Sequence, residues 1–328
     1  MILVLRASLA LALCVGALAQ QPSLANERVL DVAERSAQSA FFQRLALDQR
    51  LQDIGWKLVS GNAAFCDNAG PAVGLQLHDM ASYGKPDAVR ELLGLSDDIA
   101  VLTAAEGSPA AEAGLTANQE LVAIAGSDPR EWISKSRRDW ERTKRMHDWI
   151  DQKLSEEGAI SITLADRQNI VLEPRLACPT RFELGEDNKR AMAEGTRVIF
   201  GSKFPGFGYA EDEFAAAIAH ELAHNVLQHR AWLDANGRKR SNVRLIEREA
   251  DRLMPWLLAN AGYDPAAAAR FMERWGPVHD GGIFRARTHD GWDERVEFIT
   301  AEVEKIRELS SNGTAADWSS RFEREIEF

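Results

Sequence analysis

Cysteine is scarce in this sequence, three residues in 328, too few for a small scaffold stapled by disulfides. Positive charge is also short. Lys and Arg number 39 against 50 Asp and Glu, a net charge of -11. That balance argues against a nucleic-acid partner and against electrostatic binding to anionic lipid, and it leaves a weak preference for neutral or basic substrates. Beyond the first 19 residues no apolar run is long enough to cross a bilayer. Internal repeats and low-complexity tracts are missing as well. What is present is an ordinary globular composition, 45% hydrophobic and 27% charged, on a chain long enough for two domains.

Residues 1–19 carry Arg6, an apolar run from Ala7 to Leu18 and the small-x-small ending Ala17-Leu18-Ala19. This is the pattern of a secretory signal peptide, with cleavage expected before Gln20. An uncleaved anchor is the alternative. Leu11-Ala12-Leu13-Cys14 departs from a lipoprotein acceptor because Leu13 is too large for its position. The mature chain is therefore expected to be soluble and periplasmic or otherwise extracytoplasmic. Cys66 and Cys178 then meet an oxidising compartment, and a disulfide between them is expected; two separate buried thiols are the alternative.

Three textures follow the leader. Residues 20–67 hold Leu30, Ala33, Ala37, Phe41, Leu45, Leu51, Ile54 and Leu58 at roughly helical spacing, which predicts a long amphipathic helix that packs on the core and does no chemistry. Residues 68–177 contain short alternating runs, at 72–77, 99–102 and 160–164, that read as strands. Among them Gly107-Ser108-Pro109-Ala110-Ala111-Glu112-Ala113-Gly114-Leu115 turns the chain, forms one tight helical turn and caps it. With Leu121 to Gly126 after it, this segment resembles the core of a PDZ domain. The resemblance implies a module that binds peptide C-termini by strand addition, with Leu93-Gly94-Leu95-Ser96 as the carboxylate loop. A generic β-rich insertion is the alternative. The stretch 132–149 reads as a helix whose many like charges form a solvated face. If Cys66 and Cys178 pair, they clamp the neck of this segment.

Residues 178–328 carry the chemistry. His220-Glu221-Leu222-Ala223-His224 reads H-E-x-x-H inside a strongly helical pattern, expected to run to about Arg230 with Asp212 as N-cap. Positions i and i+4 lie one above the other on a helix. Both imidazoles can therefore face one Zn²⁺, with Glu221 beside them to take a proton from the attacking water. A catalytic zinc needs a third protein ligand and an acceptor that fixes a histidine tautomer. A second helix, at about 242–260, holds Glu247 and Asp251 four apart on one face, while Glu249 points nearly opposite. Glu247 is read as the third ligand and Asp251 as its supporting carboxylate. The alternative is a helix surface whose acids pair with Arg244, Arg248 and Arg252. His229 and His279 lack partners at ligand spacing and are read as structural.

H-E-L-A-H followed two dozen residues later by E-x-E-A-D resembles the gluzincin metallopeptidases related to the CAAX prenyl protease, HtpX and BepA. The resemblance runs from about Arg197 to Arg295 and takes in Glu211-Asp212-Glu213, Ala261-Gly262-Tyr263-Asp264-Pro265 and a late Thr288-His289 with Arg295. It implies an α+β architecture, an α-rich zincin domain with the β-rich PDZ-like segment inserted, one Zn²⁺ per chain, and hydrolysis of exported or misfolded polypeptides. It matches Glu247 to the third ligand and gives His289 a place near the metal, where it stabilises the oxyanion or occludes the resting site; Asp290 stands where the family has proline, which loosens that loop. Arg295 orients an acid or contacts the intermediate. The strand at 195–201 is implied to be the edge that holds extended substrate, with Gly206 and Gly208 giving a mobile loop over the cleft. Two other readings compete: a chaperone-like PDZ-bearing binding protein with a latent or structural metal site, and a zinc hydrolase with a non-protein substrate.

Overall fold

A computed structural model describes residues 24–135, 140–279 and 290–327, with side chains from residue 35 onward. The leader therefore lies outside the described residues, as does His289. Among the described residues no helix is long and apolar enough to cross a membrane. Met1–Gln43 and Arg44–Phe328 are separate compact units.

Helix α1 (Leu24–Gly61) enters the second unit at Arg44. From there Leu51, Ile54 and Leu58, at helical spacing, are buried in the core. Gln52 donates to the carbonyl of Phe182, and Gly55 leaves room for the Phe182 ring where a Cβ would collide with it. Glycine at that point lets the helix approach the sheet described below.

The next segment comprises β1 (Gly70–Ala72), β2 (Leu75–Asp79), α2 (Pro86–Leu93), β3 (Ile99–Ala104), α3 (Pro109–Glu112), β4 (Leu121–Ile124), α4 (Trp140–Glu157), β5 (Ile160–Leu164), β6 (Asn169–Leu172) and β7 (Arg175–Ala177). β2 pairs with β3, β4-β5-β6 form an antiparallel meander, and β1 pairs with β7 at the neck. These elements enclose their own apolar cluster, which includes Leu77, Val101, Leu121, Met146 and Ile162. Cys66 and Cys178 join at the neck, with Cα atoms 5.6 Å apart.

Three details here differ from the sequence reading. The run at 72–77 is not one strand: Gly74, at φ +66°, breaks it beside the Ser108 side chain, and its halves pair with different partners. The loop at 93–96 does not offer free amides to a peptide carboxylate, because Glu120 Oε2 already accepts from Ser96 N (2.5 Å) and Asp97 N (3.3 Å). Nor is α4 simply a solvated charged face. Arg142 is buried between Asp79 (3.1 Å) and Asp98 (3.2 Å), and His147 Nε2 accepts from the amide of Leu77 at 3.2 Å.

The last contact has a pH consequence. Burial lowers His147 to about 3 and His78 to about 4. An unfolded chain takes up protons near pH 6.5 that these folded rings refuse, so their contribution is present above that pH and is lost as pH falls through the window from 6.5 to 4. His147→Gln, which keeps an acceptor for Leu77, is expected to lower the slope of unfolding free energy against pH in that window by about 1.4 kcal/mol per pH unit. Urea melts of the two proteins between pH 6.5 and 4.5 measure this; parallel slopes would contradict it.

Beyond the neck, β8 (Arg181–Leu184), β9 (Ala191–Ala193) and β10 (Arg197–Phe200) form a three-stranded sheet in the order β8-β10-β9, with β10 parallel to β8 and antiparallel to β9. The edge strands are therefore Arg181–Leu184 and Ala191–Ala193, and the strand expected to be an edge is the centre. Among the described residues six α-helices follow: α5 (Glu211–Val226), α6 (His229–Asn236), α7 (Arg240–Asn260), α8 (Ala267–His279), α9 (Trp292–Ser311) and α10 (Trp318–Arg321). α5 is the central one. It packs on α7, α8, β9 and β10, and the side chains of Phe214 to Ala219 are all buried. Small alanines allow that close approach on several sides.

The turn before α5 is packed as well. Gly206 is pressed against Phe204 and Phe214 where a Cβ would clash, and Arg50 donates to the carbonyls of Phe207 (2.5 Å) and Tyr209 (2.9 Å). A glycine that looks like a hinge in the sequence is here a contact point between aromatic rings.

Candidate metal centre

α5 begins one residue earlier than its expected cap. Ala210 is the N-cap and makes no side-chain bond, so Asp212 lies inside the first turn. All three acids of that turn favour the positive helix end and each reaches another element: Glu211 to Tyr263 Oη (2.8 Å), Asp212 to Arg270 (2.5 Å) and Glu213 to Arg274 (2.9 Å). These contacts fasten the start of the histidine helix to the Tyr263 turn and to α8.

At its other end α5 presents His220 and His224 one turn apart, with their Nε2 atoms 3.3 Å from each other. α7 brings Glu247 across from them: Oε2 lies 3.3 Å from His220 Nε2, and Oε1 lies 3.7 Å from His224 Nε2. One donor atom from each of the three residues falls within a 4.8 Å cluster, so the trio could hold a metal ion. Glu221 lines the same cleft, which has a volume of about 990 Å³.

Both imidazoles are supported from behind. Asp251 Oδ1 lies 3.0 Å from His220 Nδ1. Arg295 forks onto Asp251 with bonds of 2.6 and 2.7 Å, so it orients an acid rather than lining the reaction centre alone. Asp251 is 1% exposed. Substituting it with Ala leaves the partly buried Arg295 without this partner and is expected to cost about 3 kcal/mol, read from the denaturation midpoint of the metal-free protein. An unchanged midpoint would show that the pair carries no stability.

Behind His224 stands His229, their Nδ1 atoms 2.8 Å apart, and His229 Nε2 meets Glu249 Oε2 at 2.9 Å. Neither His229 nor Glu249 was assigned a part in the site by the sequence, and both are fully buried. The reason for the miss is a break in the helix. α5 stops at Val226, Gln228 takes the left-handed conformation at φ 56°, and α6 restarts at His229. In one continuous helix to Arg230, a residue five places after His224 would not be directed back at it. The arginines of α7 also find other partners than the acids of their own face: Arg248 pairs with Asp290 (2.7 Å) and Glu325 (3.1 Å), and Arg252 with Glu302 (2.8 Å) and Glu325 (3.0 Å). Asp290 is thus held to α7. His279 stacks on Trp275 and bonds to its carbonyl at 2.8 Å, on the rim of the cleft.

The electrostatics separate the two candidate ligands. Burial works to lower His220, but Asp251 and Glu247 beside it prevail and raise it to about 10. For His224 burial prevails and lowers it to about 3. Burial also lowers His229. Glu249 resists the upward pull of its burial because His229 and Arg324 hold it down at about 2. The trio behind α5 is thus two neutral rings on an ionised carboxylate.

The cleft lining mixes both signs: Lys189, Arg190, Arg230, Arg238 and Arg295 stand with Glu194, Glu221, Glu247 and Asp290. β9 forms one of its walls, and Met192 is 51% exposed there. No protein-family model matches this chain, and no curated protein matches it.

Proposed function

We propose that the chain is an extracytoplasmic zinc-dependent endopeptidase, with His220, His224 and Glu247 as ligands and Glu221 as general base. The observation that carries this reading is a two-histidine, one-carboxylate cluster opening, together with Glu221, onto a cleft walled by β9, an edge strand among the described residues. The donor set fits zinc: two neutral-capable imidazoles and a carboxylate, each imidazole held by a partner on its far nitrogen, leave a coordination position open. Zinc bound there would polarise a carbonyl and make the attacking water more acidic. Glu221 takes the proton of that water and passes it to the leaving amine. The edge of β9 can pair with an extended peptide through backbone hydrogen bonds, which straightens the chain and aligns its carbonyl. Under this reading His289 stabilises the oxyanion, as the family resemblance implies.

The Cys66–Cys178 disulfide fits an oxidising compartment, in keeping with export by the leader. For the β-rich segment, gating of the peptidase domain has more support than capture of peptide C-termini: in the loop at 93–96 the amides of Gly94 and Leu95 go to carbonyls of α2 and that of Ser96 to Glu120, and His147 takes the Leu77 amide on β2.

Cleavage of an unfolded protein such as casein by the purified mature chain is the test. Activity is expected to vanish with a chelator and return with Zn²⁺. Chelator-resistant cleavage, or none in the zinc-loaded protein, would overturn the reading. The chaperone-like alternative would instead bind unfolded protein without cutting it.

A further inference from the structure

The carboxyl-terminal segment lies far from the cleft in sequence yet ends against the buried side of the metal centre. Glu249 Oε1 accepts from the backbone amides of Glu325 and Ile326, the second at 3.1 Å, and Arg324 Nε reaches both carboxylate oxygens at 3.1 and 3.0 Å. Arg324 also donates to the carbonyl of Leu227 at 3.2 Å, at the break between α5 and α6. The segment is itself anchored: Trp232 Nε1 donates to Glu327 O at 2.9 Å, Ile326 is buried, and Glu325 is gripped by Arg248 and Arg252.

We propose that this tail is a working part of the metal centre, acting through Glu249 and His229 to fix the tautomer of His224. The logic is a two-step transfer of polarity. A carboxylate with three donors already on it, the amides of Glu325 and Ile326 and Arg324 Nε, can only accept, so His229 must carry its proton on Nε2. Its Nδ1 is then an acceptor, which places the proton of His224 on Nδ1, 2.8 Å away. His224 is left with a bare Nε2, the atom that faces His220 Nε2 and Glu247. On the other ring Asp251 Oδ1 stands 3.0 Å from His220 Nδ1, the corresponding place. His229, Glu249 and Arg324 touch neither substrate nor metal in this scheme; they are positioning residues. The inference rests on the zinc-site reading above.

Metal affinity, not turnover, tests it. Zn²⁺ affinity is measured by competition with a chromophoric chelator, the Co²⁺-substituted protein is recorded in the visible range, and thermal melts of the metal-free proteins report folding. His229→Phe keeps a ring of similar size but no acceptor, and is expected to weaken Zn²⁺ binding about 10–100-fold and to alter the Co²⁺ spectrum. His229→Gln can accept from His224 and donate to Glu249, and is expected to restore most of the affinity. Arg324→Ala leaves both rings in place, loosens the grip on Glu249, and is expected to weaken binding to a lesser degree; it carries the test should His229→Phe not fold. Wild-type affinity in His229→Phe and Arg324→Ala, or equal losses in His229→Phe and His229→Gln, would overturn the relay while leaving the zinc site intact. A wild-type chain that binds neither ion would remove the site and the relay together.

Discussion

Glu221→Gln is expected to lower peptide hydrolysis by about 10²–10⁴-fold while one zinc ion stays bound per chain. The amide is nearly the same shape as the carboxylate, so it fits the same place on α5, but it cannot take up a proton. Glu221 is outside the ligand trio of His220, His224 and Glu247, which separates metal retention from catalysis. The loss should fall on kcat with KM little changed, because the proton transfer occurs in the transition state and not in binding. Steady-state kinetics on a quenched fluorescent peptide, alongside metal analysis of both proteins, measures this. A variant that holds its zinc and still cuts at the wild-type rate would remove Glu221 from the mechanism.

Opening the Cys66–Cys178 bond should destabilise the protein by about 4–5 kcal/mol in the chain-entropy view, since the two residues are 112 apart in sequence. That is a large share of the 5–15 kcal/mol typical of a folded domain. The bond closes the neck of the β-rich segment beside the β1–β7 pair, where Cys178 N also donates to Val59 O at 3.0 Å. Both cysteines are buried, so the Cys66→Ala, Cys178→Ala double variant avoids placing a hydroxyl in the core. Urea melts of oxidised wild type and of the double variant read the difference directly. Coincident midpoints would show that closing the neck contributes nothing.

The parts of the site that could be read from the sequence are those governed by local helical geometry. His220 and His224 share a face because they are four apart, and so do Glu247 and Asp251; those spacings hold whatever surrounds them. Arg295 was placed through a motif, and it meets Asp251. What escaped is non-local. Glu249 sits two residues from Glu247 and turns to the other side of α7, a direction that reads as solvent until the tail, 75 residues later in the chain, covers it. A signal was available in hindsight: a carboxylate on the far face of a core helix needs donors, and Arg324 and His229 are charge-bearing or polar residues with no local role.

The helix break was hidden for a related reason. Gln228 carries no intrinsic preference for the left-handed region, unlike glycine, and the conformation is held by packing and by Arg324 on the Leu227 carbonyl. The edge strand was misplaced by one strand because Ala191–Ala193 is only three residues long, too short for an alternating pattern to register, whereas Arg197–Phe200 has the β-rich composition of a sheet centre. Gly206 and Gly208 looked like flexibility; at Gly206 the missing side chain instead makes room for two phenylalanine rings.

X-ray absorption at the zinc edge of the purified mature protein tests the metal centre most directly. One ion per chain is expected, with a nitrogen and oxygen shell at about 2.0–2.1 Å, two imidazole contributions, and loss of the signal in His224→Ala and Glu247→Ala. A protein that retains no zinc, or an ion whose shell is unchanged when Glu247 is removed, would contradict the assignment of His220, His224 and Glu247 as its ligands.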